Sequence, residues 1–201
     1  MYTKYTEEDI VNYIRDNKIT HWVNSIGGSR SVWFRHQIEK NPKTLTHNKT
    51  QKYSATPMNL SAHCRPLNVP STGIFCFRSD VRNMLGSQIS RNIHIGNFHK
   101  LSYPFNFEFS FEKWLELVHD RIISWSQAAP IDVWLINTDK ILDNKRLLQQ
   151  HFGVSFDSFR SSSRNHMPEE LVSYQYKVDQ INALLSSLPS FQFIPKTNNN
   201  Y

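Results

Sequence analysis

The five consecutive residues Gly27-Gly28-Ser29-Arg30-Ser31 bring two glycines, two hydroxyls and a guanidinium into one short span. A glycine turn that leaves a strand and opens a helix presents backbone N–H groups and the positive end of the helix dipole, and together these bind phosphate or sulfate. The hydroxyls of Ser29 and Ser31 and the guanidinium of Arg30 would add donors. The segment does not match G-x-x-x-x-G-K-[ST], because no lysine follows the second glycine, and it does not match G-x-G-x-x-G. An ordinary nucleoside triphosphatase or dinucleotide enzyme is therefore disfavoured. Taken alone, the signal is weak, because two glycines also serve simply to make a tight strand-to-helix turn.

A second group lies in FCFRSDVRNMLGSQ, where Arg78 ends an apolar run, Arg82 falls in the first turn of a helix, and Ser87 follows about two turns on. A strand-terminal arginine and a helical serine could converge on one phosphate beside the first turn, the arginine giving bidentate contacts. The two segments would then hold two anionic groups of one ligand. Separately, Arg78 reads as a surface ion pair and Ser87 as a solvated hydroxyl; their joint position makes the argument. Nine histidines are spread along the chain, with neither H-x-x-x-H nor Cys/His pairs at ligand spacing, so no metal is expected.

The elements that must position these residues follow from periodicity. Thr6 caps TEEDIVNYIRDN, with acids in the first turn and Ile10, Val11 and Ile14 at helical spacing, giving a leading helix within residues 1–18. KITHWVNSI is a strand and SRSVWFRHQIEK a helix, with Phe34 and Ile38 four apart. GIFCFRS is a second strand, and Asp80 caps the helix DVRNMLGSQISRNI. The clearest helix carries Phe111, Trp114, Leu115, Val118, Ile122 and Trp125 on one face, and those aromatics belong to the core. IDVWLINTDKIL lacks alternation, as a parallel strand covered on both faces does. NKRLLQQHFGV is a short helix, and a last helix repeats Leu171, Tyr174, Val178, Ile181, Leu185 and Leu188. Residues 41–70 and 94–110 are loops suited to substrate contact, and 196–201 is a frayed tail.

Strands alternating with helices predict one α/β domain over residues 1–201, with a central, mainly parallel sheet between two layers of helices. Ligand sites in such folds lie at the carboxyl ends of the strands, where the opening turn falls. The net charge of +6 and a pI of about 9.3 favour an anionic partner. Two cysteines are too few for a disulfide framework, and no signal peptide or apolar run of spanning length occurs. These features predict a soluble cytoplasmic protein with no membrane partner.

With these segments in order, the chain resembles the sulfotransferases that use 3′-phosphoadenosine 5′-phosphosulfate (PAPS). The family's phosphosulfate loop, of the type P-K-S-G-T-T-W, is similar to Ile26-Gly27-Gly28-Ser29-Arg30-Ser31 and the residues after it. Its R-x-P-x-x-x-x-x-S motif, which holds the 3′-phosphate, is similar to Arg78-Ser79-Asp80 through Gly86-Ser87, with the serine one position later. Its strand ending in Y-E-D-L is similar to WLINTDKILDN, with Asp139 at the acidic position. The resemblance covers roughly Ile19 to Val154 and implies a P-loop α/β/α fold with PAPS as the sulfuryl donor and no metal.

Residue by residue, the resemblance assigns Gly27, Gly28, Ser29, Arg30 and Ser31 to the 5′-phosphosulfate and Arg78 and Ser87 to the 3′-phosphate. It implies that a histidine in the loop before the second motif is the general base, which places His63 of SAHCRP in that role, with His47 in reserve and His94 and His99 weaker. RSSSRNH, with Arg160 and Arg164, stands where the family has a basic loop over the nucleotide. The chain departs from the pattern at Gly27, where the family has a lysine, leaving Arg30 as the nearest cation for catalysis, and at Ser79, where it has a proline. The implied activity is sulfuryl transfer to a hydroxyl of a carbohydrate or small molecule. Other readings are a non-catalytic nucleotide- or anion-binding relative, an atypical P-loop kinase, and a basic nucleic-acid module stacking on Tyr103, Phe105 and Phe107. The scattered basic residues argue against the last.

Overall fold

The computed structural model describes residues 7–26, 28–38, 65–89, 110–153 and 169–196. The chain opens with helix α1 (Glu7–Asp16), whose first turn holds Glu7, Glu8 and Asp9 and whose last holds Arg15, charges that complement the helix dipole. Ile10 and Ile14, four apart, are its buried side chains. Strand β1 (His21–Ser25) and helix α2 (Ser31–Ile38) flank the glycine turn. Strand β2 (Thr72–Phe77) then leads into α3 (Val81–Ile89).

Helix α4 (Phe111–Gln127) begins at Ser110, whose hydroxyl accepts the Lys113 N–H at 3.2 Å. That contact satisfies a donor the helix itself leaves unpaired. Strand β3 (Val133–Asn137) runs into a 3₁₀ turn, Thr138–Lys140, and α5 (Lys145–Phe152) stops at Gly153, whose φ of 67° is the left-handed cap. A 3₁₀ stretch over Glu169–Tyr174, helix α6 (Gln175–Ser187) and strand β4 (Phe191–Ile194) complete the described chain.

The four strands form an open sheet in the order β1-β2-β3-β4. β1, β2 and β3 are parallel, with Val23 beside Ile74 and Phe75 beside Leu135, and β4 runs antiparallel to β3 with Phe193 beside Trp134. Side chains alternate between the two faces of each strand. On one face Trp125 of α4 stacks on Phe75 at 5.5 Å and meets Trp22 edge-on at 5.3 Å. On the other, Phe152 of α5 meets Trp134 at 5.7 Å and Phe34 of α2 at 5.9 Å. Helices thus cover both faces, and each aromatic pair adds about 0.5–1.5 kcal/mol beyond its buried area.

The α/β class and the parallel β1–β3 core agree with the sequence reading, as do the buried Trp114, Leu115, Val118, Ile122 and Trp125 on α4. Two boundaries differ. Leu171 and Tyr174 lie in the 3₁₀ stretch before α6 rather than in the last helix itself, and Leu188 caps that helix. The fourth strand has no counterpart among the three that the sequence pattern predicts. It is four residues long and lies just past Pro189 and just before Pro195, too short for its period-two pattern to stand out. Residues 39–64, 90–109 and 154–168, which include most of the expected substrate loops, lie outside the described residues. Among the described residues no helix is long and apolar enough to cross a membrane.

Candidate anion-binding site

Because β1, β2 and β3 are parallel, their carboxyl ends share one edge of the sheet, and the segments after them meet there. After β1, Gly28 has a φ of +82°, a region closed to most side chains. A Cβ on Gly28 would stand 2.0 Å from the main-chain oxygen of Met84 in α3. The turn therefore rests directly on the helix that follows β2, and only glycine permits so close an approach. Ser29 reinforces the contact: its hydroxyl donates to the Ile26 carbonyl, and its Oγ lies 3.1 Å from Met84 Sδ. Ser31, at the start of α2, is buried with its Oγ 2.7 Å from Ser25 Oγ.

Between these serines Arg30 adopts a φ of +58°, which costs a non-glycine residue roughly 1–2 kcal/mol. Strain of this kind persists where surrounding contacts impose it. Here the imposed geometry aims the side chain at the next strand end but one, so that Arg30 Nη1 lies 3.1 Å from Asp139 Oδ1. Arg78, one residue past β2, reaches the same oxygen through Nε and Nη2, each at 3.0 Å, and donates Nη1 to the Asn83 carbonyl at 3.1 Å. Asp139 Oδ2 accepts the Ser79 N–H at 3.1 Å. The Arg30 and Arg78 side chains are 9% and 4% exposed, and that of Asp139 is 19%.

Neighbouring bonds hold this cluster in place. Asn137 accepts the Asp139 N–H at 3.0 Å and donates to Ser79 Oγ at 3.0 Å, and Thr138 donates to the Phe77 carbonyl at 3.0 Å. These bonds tie the end of β3 to the end of β2. The start of α3 is closed separately: Asp80 accepts the Arg82 N–H at 2.8 Å, as its capping position predicts, and Asn182 of α6 accepts the Val81 N–H at 2.9 Å. Arg82 turns towards α6, with Asp80 at 3.5 Å and Asp179 at 3.4 Å, and takes no part in the Asp139 cluster.

Of the residues singled out in the sequence, Gly28, Ser29, Arg30, Ser31 and Arg78 therefore gather at one place, with Asp139 between the arginines. Ser87 lies in α3, three residues beyond Met84, but its side chain is outside the described residues. Gly27, His63, Arg164, Cys64, His47, His94, His99 and Arg160 lie outside them altogether. Asn182 had no signal in the sequence, being 101 residues from the helix end it closes. Burial in β2 pushes the Cys76 thiol far up, which keeps it protonated and unreactive. Burial likewise lowers the pKa of His21, at the opposite end of β1. No group of three His, Cys, Asp or Glu residues that could hold a metal occurs among the described residues.

Chemically, two guanidinium groups, a strained turn and a main-chain N–H face one small region at the sheet's carboxyl edge. Such a donor set suits an oxyanion. Comparison of the chain with protein-family models, with curated proteins and with solved structures returns no match.

Proposed function

We propose that the protein is a PAPS-dependent sulfotransferase of the P-loop α/β/α type, binding its donor at the carboxyl ends of β1 and β2 and transferring the sulfuryl group to a hydroxyl of a carbohydrate or small molecule. The observation that carries this reading is the convergence of Arg30 and Arg78 from two different strand ends, with Gly28 seated against Met84. A ligand with a 5′-phosphosulfate and a 3′-phosphate needs anion donors on both segments, and these two segments supply them.

In this reading the turn Gly28, Ser29, Arg30 and Ser31, with Gly27, holds the 5′ end through its main chain and the Arg30 guanidinium, the Ser29 and Ser31 hydroxyls being buried in bonds within the protein, and Arg78 with Ser87 holds the 3′-phosphate. PAPS supplies an activated sulfuryl group. The acceptor oxygen forms a bond to sulfur as the bond between sulfur and the phosphate oxygen breaks, and the departing group is adenosine 3′,5′-bisphosphate. The acceptor's proton passes to a base, for which His63 is proposed. Arg30 stands where charge develops on the sulfuryl oxygens, and fixed cations at that position lower the barrier without reorganising. Arg164 would close over the nucleotide.

Thermal unfolding with adenosine 3′,5′-bisphosphate tests the reading. A ligand at a hundred times its Kd stabilises the fold by about 2.7 kcal/mol. For a chain of this size each kcal/mol raises Tm by about 2–4 °C, so a rise of several degrees is expected. Stabilisation by ATP with none by the bisphosphate would point to a kinase. Oligonucleotide binding with a steep salt dependence would point to a nucleic-acid module. His63→Ala should keep the bisphosphate response and abolish turnover; binding of the bisphosphate without any sulfuryl transfer by the wild type would make the protein a non-catalytic relative.

A further inference from the structure

We infer that Asp139 is an internal counter-anion of this site, whose Oδ1 gives way to oxyanion oxygens, of phosphate or sulfate, when the two anionic groups of the ligand bind at Arg30 and Arg78. The inference rests on the proposed anion-binding role of these arginines and adds what holds them when no ligand is present. Its basis is the way three N–H groups are shared. Arg30 Nη1, Arg78 Nε and Arg78 Nη2 all converge on Oδ1 at 3.0–3.1 Å, while Oδ2 accepts the Ser79 N–H. An arginine bonds a carboxylate best in a fork, each nitrogen with its own oxygen. Two such forks need four acceptor positions, and with the Ser79 N–H on Oδ2 the carboxylate has about three left. The two oxyanion groups of the proposed donor give each guanidinium oxygens of its own.

The surroundings let Asp139 move without disturbing the arginines. Its side chain is the most exposed of the three, at 19% against 9% and 4%, so water can take over the carboxylate as it turns. Its backbone stays fixed through the Asn137 bond to the Asp139 N–H, and Arg78 stays anchored through the Asn83 carbonyl. Exchange of one anion for another also leaves no buried guanidinium without a partner at any step, which would otherwise be costly. A carboxylate ligand would gain nothing over Asp139. The site therefore discriminates phosphate and sulfate from carboxylates.

The test compares wild type with Asp139→Asn, titrated with inorganic sulfate and with acetate at constant ionic strength, alongside adenosine 3′,5′-bisphosphate. Removing the competing charge should tighten sulfate binding by about tenfold, within the usual range for coupled sites of about 5–150-fold. The variant alone should melt below wild type, and acetate should not compete with sulfate on wild type. Sulfate affinity equal to or weaker than wild type's, where wild type binds the bisphosphate, overturns the counter-anion role and leaves the donor site standing. Failure of both proteins to bind either sulfate or the bisphosphate overturns the site itself. Should the variant not fold, the wild type carries the test: the Asp139 carboxyl carbon resonance must shift on saturation with sulfate, and an unmoved resonance refutes the exchange.

Discussion

Arg65 donates to Asp120 through Nε at 3.1 Å and Nη2 at 2.7 Å, each nitrogen meeting its own carboxylate oxygen, on a surface where the side chains are 62% and 39% exposed. Arg78 offers the same two nitrogens to Asp139, yet both arrive at one oxygen, and Arg30 arrives there as well. The exposed pair has the better geometry and the smaller consequence. Water solvates each of its partners if the other is removed, so the pair contributes about 0.2–1 kcal/mol. The buried cluster has poorer geometry because its groups sit where three strand ends and their turns place them. Exposed forks stitch segments together at little consequence, whereas crowded charges under little solvent depend on one another for their solvation.

The comparison breaks most readily at the turn beneath the cluster. Gly28→Ala meets the Met84 carbonyl at 2.0 Å with φ at +82°, and overpacking against backbone plus a left-handed alanine should cost about 3 kcal/mol. Denaturant unfolding should register that loss, and the bisphosphate response should disappear with it, since the turn can no longer hold Arg30 against Asp139. A variant of near wild-type stability would mean that the turn does not depend on this contact.

Arg78→Ala comes next. It removes two of the three N–H groups on Asp139 Oδ1, and leaving a partly buried carboxylate with fewer partners should cost about 2 kcal/mol, below the ~3–5 kcal/mol of a wholly buried pair because Asp139 retains Arg30 and some solvent. The fold should survive, and calorimetry should find no bisphosphate binding; unchanged affinity would remove Arg78 from the site. Smallest is Arg65→Ala, for which a loss under about 1 kcal/mol and an unaltered bisphosphate response are expected. An effect as large as that of Arg78→Ala would erase the contrast between the two pairs.

Much of the framework was open to reading in advance. The regular spacing of Trp114, Val118, Ile122 and Trp125 fixes which side of α4 is buried, because a helix offers its neighbours every third or fourth residue whatever it packs against. Asp80 could be assigned to the start of α3, since a capping side chain acts within three residues of itself. Short elements were harder. β4 depends on pairing with β3 for its backbone bonds, and Phe191 and Phe193 by themselves offer too little pattern to announce it.

What the sequence by itself determined is therefore local: the alternation of strands and helices, the glycine turn after β1, and an arginine just past the end of β2. Physical rules of short range, periodicity, capping and the permissiveness of glycine, govern those features. Only the tertiary structure decided that Arg30 and Arg78 would meet on Asp139, 109 and 61 residues distant from them, and that Asn182 would close α3. Parallel pairing of β1, β2 and β3 brings their ends to one edge, and no pattern within any one segment encodes that the three turns there share a single carboxylate oxygen.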